Sequence, residues 1–341
     1  MHHASEKVTQ LQTDLQHAID TKTKPPGSLG ELESLALQLG LIQNTMTPAV
    51  DKPKAFIFGA DHGVCEEGVN PFPQAVTEQM LANFASGGAA MSVFCRTNGI
   101  PLEIVNMGIV NPQVTWTNVS HHAIAAGTQN LAKTSAMTTE QCDSAIQVGH
   151  DLAQRAVNEH HNLLMIGEMG IGNTTSASAI LSALTDINAE QAVGPGTGAT
   201  AEQQALKANV INTALSRFND RDANTILREV GGFEIAAMVG VLLAAEQLKV
   251  AVMVDGFIAT AAAMIADKLN PDCRPYWIFA HESAEPAHQM MLKALSAKPM
   301  LQLGLRLGEG SGAALAYPIV KCAVAMLNDM ATFAEAGVSE S

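Results

Sequence analysis

Two carboxylates in this chain sit where burying a charge is costly unless it has a function. Glu309 lies between glycines in "LRLGEGSGAALAYPIV", at the mouth of an apolar helix, and Glu168 lies in "GEMGIGNTT", which follows an apolar run. In the second loop Gly170, Gly172, Asn173 and Thr174 can offer peptide N–H groups and a hydroxyl to an anion. Glycines let an anion approach the backbone, and a helix start favours its charge. A simple tight turn reads equally well, and without Gly-Lys-Ser/Thr this is not a Walker A loop. Another glycine-rich loop, "GPGTGATAEQQALKANV", places Gly196 and Gly198 for the same anion, with Lys207 about two turns into the next helix. On pattern alone, Lys207 reads as part of a solvated helix face. A carboxylate beside a phosphate is repulsive. Glu168 and Glu309 therefore call for another ligand part, such as a ribose hydroxyl, a cationic ring or an N–H.

Three further residues stand at the ends of apolar runs. His62, in Asp61-His62-Gly63, reads as a hydrogen-bonded structural residue of a tight turn in preference to a base. Asp255, before Gly256, is open to either reading. Ser283, in "HESAEPAH", reads as a helix N-cap whose hydroxyl can also reach a phosphate.

The elements that must position these residues alternate. Short apolar runs at 55–58, 102–108, 162–170, 250–256 and 275–279 read as buried strands. Segments 74–85, 138–160, 174–184, 201–218, 233–248 and 257–269 read as helices, the fourth with Leu206, Val210, Ala214 and Phe218 as its apolar stripe. This pattern predicts an α/β fold: a Rossmann-like parallel sheet flanked by helices, with ligands beyond the carboxyl ends of the strands. The first forty residues read as two helices split by Pro25-Pro26-Gly27, with Ser28 as N-cap and Glu31 three residues on as a capping box. Residues 1–45 with 305–341 are expected to form a small helical domain beside a large domain of residues 46–304.

Composition narrows the function. A formal charge of −14 argues against nucleic acid or an anionic membrane as partner. The five cysteines, Cys65, Cys95, Cys142, Cys273 and Cys322, are scattered without a CxxC. That suits a reducing cytoplasm and shows no metal-ligand spacing. "MHHASEKVTQ" lacks the apolar core of a signal peptide, and the longest apolar run, 235–245, is too short to span a bilayer. A soluble, cytoplasmic protein is expected.

No one motif decides the function, but their combination does. "KPPGSLG", "GADHGV", "GEMGIGNTT", "VGGFE", "DGF" and "RLGEGSGAAL" follow one another from residue 24 to 315. Together they resemble the nicotinate-nucleotide–dimethylbenzimidazole phosphoribosyltransferases, which make the lower-ligand nucleotide of cobalamin. The resemblance covers nearly the whole chain. It implies transfer of the phosphoribosyl group of nicotinate mononucleotide to a benzimidazole nitrogen, with inversion at the anomeric carbon, by a homodimer without metal or other cofactor. Motif by motif, Glu309 falls on the family's catalytic base. Glu168, Gly170, Asn173, Thr174, Gly196, Gly198, Lys207 and Ser283 fall on nucleotide- and phosphate-binding positions. Where members often carry Ser-Pro and then Gln, this chain has Phe72-Pro73 and Met80. With Leu307, these residues predict a more apolar base pocket, and the preferred base stays open among benzimidazoles, purines and phenols.

Two rivals are weaker. Diphosphate-dependent phosphoribosyltransferases carry paired acids after a strand, whereas "VMVDGF" has one. A binding protein that has lost its chemistry would be expected to lack Glu309 or the glycine loops.

Overall fold

The computed structural model describes residues 2–111, 113, 115–194 and 200–339, with side chains from residue 9 onward. Gly196 and Gly198 lie outside the described residues. Six strands form one parallel sheet: β1 (Pro53–Ala60), β2 (Leu102–Gly108), β3 (Val119–His121), β4 (Leu163–Met169), β5 (Ala251–Val254) and β6 (Trp277–Phe279). Their order is β3-β2-β1-β4-β5-β6, the Rossmann arrangement. The chain runs outward from β1 on one side, then returns to lay β4 against the other side of β1. That reversal opens a crevice at the carboxyl ends of β1 and β4, beside Glu168 and Gly170.

The helices are α1 (His2–Asp20), α2 (Glu31–Ile42), α3 (Ala75–Ser86), α4 (Ala90–Asn98), α5 (Thr139–Asn158), α6 (Asn173–Leu184) and α7 (Ala189–Ala192). They continue with α8 (Ala201–Ser216), α9 (Ala223–Val230), α10 (Phe233–Leu248), α11 (Phe257–Leu269), α12 (Pro286–Ala294), α13 (Ser311–Asp329) and α14 (Phe333–Ala336). Strand side chains alternate between two cores, as their period of two requires. Phe56, Phe58, Leu164, Ile166, Val252 and Val254 point into one core, completed by α5, α6 and α8 to α12. Ala55, Ile57, Leu163, Met165, Ala251 and Met253 point into the other, with α2, α3, α4 and α13. Burial on both faces explains why the strands read as continuous apolar runs.

α13 has the length and composition of a membrane span, but 61% of its apolar window is buried against the protein. α1, α2 and α13 meet around Leu15, Ile19, Ala36, Met326 and Leu327, while α2 and α13 also cover the sheet.

Three local expectations fail, each for a definable reason. Ser28 does not cap α2; Gly30 takes that position without a side-chain bond. The Glu33 carboxylate instead accepts the N–H groups of Gly27 and Leu29 and pairs with Lys24 at 2.9 Å. In α8 the strict four-residue stripe drifts off the buried face, because four residues overshoot a 3.6-residue turn. Lys207, Ala208, Val210, Ile211 and Ala214 face inward, Leu206 is 39% exposed, and Phe218 lies beyond the helix. Ser283 does not cap α12 either; Glu285 takes that position without a side-chain bond, with Pro286 after it, while the Ser283 hydroxyl accepts the N–H of Glu285. The edge strand β3 is three residues long and leaves no readable alternation.

α5 and α10 cross with their backbones in contact. A Cβ on Gly149 would overlap the Ala237 carbonyl, and one on Gly240 would overlap that of Ile146. Gly149→Ala should therefore lose about 1–3 kcal/mol in urea unfolding, despite alanine's better helix propensity.

Candidate active site

The crevice holds a cavity of about 390 Å³, within the range of small-molecule sites. Of the residues singled out in the sequence, Glu168, Gly170, Asn173, Thr174, Lys207, Ser283 and Glu309 line it, as do Phe72, Met80 and Leu307. Asp255, Arg306, Glu285 and His281 line it too. Arg306, Glu285 and His281 carried no usable sequence signal, since each stands outside any recognisable ligand spacing.

A line of polar contacts runs through the lining. Lys207, only 2% exposed, donates from Nζ to the Thr174 hydroxyl at 3.0 Å. Its expected place on a solvated face is thus corrected: the inward turn of α8 carries it into the cavity wall. Burial pulls its pKa down from 10.5 to about 8, with Glu285 acting in the opposite sense. Thr174 and Asn173 open α6, whose N-cap Gly172 adopts φ 104° and provides no capping side chain. The N–H groups of Asn173 and Thr175 donate to the Gly170 and Gly172 carbonyls at 3.0 Å, and the positive end of the α6 dipole at this start favours an anion.

Next along the line, Asn173 donates its side-chain N–H to Glu168 Oε2. Glu168 Oε1 in turn accepts the peptide N–H of Glu309 at 3.3 Å. Burial raises the Glu168 pKa to about 7, opposed by Asn173 and reinforced by the charges of Glu234 and Asp255.

Glu309 itself occupies a strained turn. Gly308, Glu309 and Gly310 all have positive φ, at 82°, 67° and 95°. For a glutamate this costs on the order of 1–3 kcal/mol. The turn presses against β4 at Gly167, where a Cβ would strike the Glu309 carbonyl. The Glu309 carboxylate accepts the N–H of Met91, near the start of α4, at 3.2 Å. Burial raises its pKa, outweighing the bonds from the α4 backbone, and Asp255 adds to the rise. Asp255 holds the turn from below, accepting N–H groups from Gly310 at 3.2 Å and Ala313 at 2.9 Å.

Behind the glycine loop lies a buried ion pair. His62 Nε2 meets Glu234 Oε1 at 2.7 Å, and Nδ1 lies 3.2 Å from the Ser176 hydroxyl, which donates to the Gly231 carbonyl. Burial opposes a charge on His62, but the carboxylates of Glu234, Asp61 and Glu168 prevail and raise its pKa. An imidazolium suits both ring nitrogens here: Nε2–H faces the carboxylate and Nδ1–H faces the serine oxygen. Ser176 is fully buried and absent from the cavity lining, so the trio is no nucleophilic triad. Gly170, Gly172 and Gly232 all rest against His62 and lack room for a Cβ. The pair therefore moulds the glycine loop, in keeping with a structural His62.

Comparison with known proteins agrees with this arrangement. A family model described as phosphoribosyltransferase matches residues 5–338. A nicotinate-nucleotide–dimethylbenzimidazole phosphoribosyltransferase of Dechloromonas aromatica is 46% identical over 334 residues, covering 97% of this chain and 96% of that one. One from Pseudomonas fluorescens is 50% identical, covering 93% and 91%. The crystal structure of CobT from Thermus thermophilus superposes with a TM-score of 0.94 at 38% identity, covering 97% of this chain and all of that one. This chain belongs to the nicotinate-nucleotide–dimethylbenzimidazole phosphoribosyltransferase family. It is a phosphoribosyltransferase with that family's fold.

Two outcomes test the site. Sulfate affinity measured by calorimetry should weaken as pH rises through about 8, because Lys207 loses its charge there, and Lys207→Met should bind weakly at every pH. Glu234→Ala strands a buried imidazolium and should cost about 3–5 kcal/mol in urea unfolding.

Proposed function

We propose that this enzyme transfers the 5-phosphoribosyl group of nicotinate mononucleotide to dimethylbenzimidazole or a related base, as a step in making cobalamin. The observation that carries this reading is the unbroken line Lys207–Thr174–Asn173–Glu168–Glu309 along one cavity. It offers an anion site, then a carboxylate, then a second carboxylate, in the order of phosphate, ribose and acceptor base. The phosphate takes the α6 N-terminus with Lys207, Thr174 and Ser283 around it. Glu168 faces the ribose, where an anion stabilises positive charge developing at the anomeric carbon.

The pyridinium of nicotinate mononucleotide is already a good leaving group. As the bond from C1′ to the pyridine nitrogen breaks, its electron pair returns to the ring and nicotinate departs. A benzimidazole nitrogen forms the new bond to C1′ from the opposite face, giving the α-riboside phosphate with inversion. The other benzimidazole nitrogen loses its proton to the Glu309 carboxylate. Burial makes Glu309 a stronger base than an exposed glutamate, which suits general-base catalysis near neutral pH. Phe72, Met80 and Leu307 surround the acceptor with apolar surface. Phe72 and Leu307 are 47% and 51% exposed without ligand, area that a bound aromatic base can cover. The mechanism calls on no metal or other cofactor. Family membership is the basis on which we read the enzyme as a homodimer, and its unpaired cysteines suit the cytoplasm.

The test is nicotinate release from nicotinate mononucleotide with and without dimethylbenzimidazole. Wild type should release nicotinate only with base, and Glu309→Gln should lose about 10²–10⁴ in kcat with nucleotide binding retained. Nucleotide binding by wild type without release for any base would instead identify a binding protein. Undiminished turnover in the variant would remove Glu309 from the role of base.

A further inference from the structure

The glycine loop at the α6 start is shaped by two side chains that the chemistry just described leaves unused, Thr77 and Cys65. Gly172 has φ 104° and ψ −17°, and the Asn173 N–H donates to the Gly170 carbonyl at 3.0 Å. Residues 170–173 thus make a type II turn, with Ile171 and Gly172 as its central pair. Gly170, Ile171, Gly172 and Asn173 all line the cavity. Side chains from elsewhere hold this turn at two successive peptides. The Ile171 N–H donates to the Thr77 hydroxyl at 3.0 Å. The Ile171 carbonyl accepts the Cys65 thiol, with sulfur and oxygen 3.1 Å apart. Thr77 is fully buried in the first turn of α3, and Cys65 is half-buried in the short helical turn after His62. Asn70 donates its side-chain N–H to the same sulfur at 3.3 Å. Burial pushes the Cys65 thiol up to about 12, and the Asp61 charge adds to the rise, so at neutral pH the sulfur keeps the proton it donates.

We propose that Thr77 and Cys65 are positioning residues for the substrate phosphate: they lock the central peptide of this turn so that the Gly172 N–H is held toward the cavity. The inference rests on reading the α6 start as the phosphate site. Type II and type I turns differ chiefly by a flip of the central peptide, and a glycine at the third position adopts either. In a trans peptide the N–H points opposite to the C=O. The thiol that takes the Ile171 carbonyl therefore turns the Gly172 N–H away from itself, while Cys65 is absent from the cavity lining. A flip would put a carbonyl in place of that N–H and set its negative end against an anion. Thr77 holds the preceding peptide, whose carbonyl already accepts the Asn173 N–H, so both ends of that peptide are fixed. Val76 and Met80 from the same helix line the cavity, so α3 joins the wall around the acceptor to the loop that meets the phosphate.

Calorimetry with sulfate and steady-state kinetics decide the proposal. Thr77→Val keeps the shape of the side chain and removes the acceptor. Its sulfate affinity should fall about 10-fold, with Thr77→Ser within about twofold of wild type. Equal losses in the two variants would trace the effect to the methyl group and overturn the role of the hydroxyl. Cys65→Ala should lose about 3-fold, since a thiol is a weak donor. In Thr77→Val, KM for nicotinate mononucleotide should rise as sulfate affinity falls, while KM for dimethylbenzimidazole changes little. Equal rises in both KM values would mean that α3 has merely loosened, and unchanged sulfate affinity in Thr77→Val or Cys65→Ala would remove that residue from the clamp; either result overturns the proposal. Amide hydrogen exchange checks the contact itself. The Ile171 N–H should be protected in wild type and should exchange at least about 10-fold faster in Thr77→Val. Equal rates overturn the proposal whatever the site binds. If Lys207→Met binds sulfate as tightly as wild type, the phosphate-site reading fails separately, and exchange at Ile171 still decides whether Thr77 holds the turn.

Discussion

Helix starts leave peptide N–H groups without partners, and the active end of this molecule is organised by how three such starts are treated. None of α4, α6 and α13 is capped by a side chain of its own. Asp255, from the end of β5, takes the N–H groups of Gly310 and Ala313 at the start of α13. Glu309, from the turn before α13, takes the N–H of Met91 at the start of α4. The start of α6, with Gly172 as its N-cap, takes no carboxylate and opens onto the cavity, its Asn173 and Thr175 N–H groups donating to the Gly170 and Gly172 carbonyls. Two carboxylates are thus spent on helix starts next to a third start that faces the cavity, so a helix end that favours an anion and a buried carboxylate of raised pKa come to lie in one crevice.

That arrangement concentrates charge of one sign. Glu168, Glu234, Asp255 and Glu309 are all at least 90% buried near the crevice. Each needs either a nearby cation or a proton. His62 answers Glu234, while Lys207 stands at the anion end, clear of the acids. Glu168 and Glu309 have peptide or amide N–H groups as partners in place of ion pairs. Donors of that kind satisfy the oxygens without fully offsetting burial, which leaves both carboxyls easy to protonate and so able to move protons.

Much of this was legible in the sequence. Helices α10 and α11 fall on the expected residues, because long apolar segments bounded by glycine leave little choice of ends. The strands were legible because a sheet covered on both faces demands unbroken apolar runs. Glu309 and Glu168 stood out because glycines on either side of a carboxylate deny it the cover of its own neighbours. Lys207 misled on pattern alone: an inward lysine and an outward one look alike until the phase of α8 against α6 is known. Asp255 stood out only as a strand-end acid open to either reading, for a related reason: its partners are the Gly310 and Ala313 N–H groups, far along the chain, and no local spacing encodes a contact of that kind. The cap of α2 failed similarly, since Glu33 reaches backward to close a turn that Ser28 was expected to hold.

The left-handed turn at Glu309 has a consequence for the history of the chain. Glycine or asparagine would hold φ near 67° with less strain than glutamate, so the residue proposed as the base is locally the poorer choice for folding. Random change screened only for heat tolerance would favour replacing it. On the reading of Glu309 as the base, a glutamate at this position reports on selection for turnover, separately from selection for a folded protein. A lineage released from making its product would be expected to relax here early, while its sheet and helices remained intact.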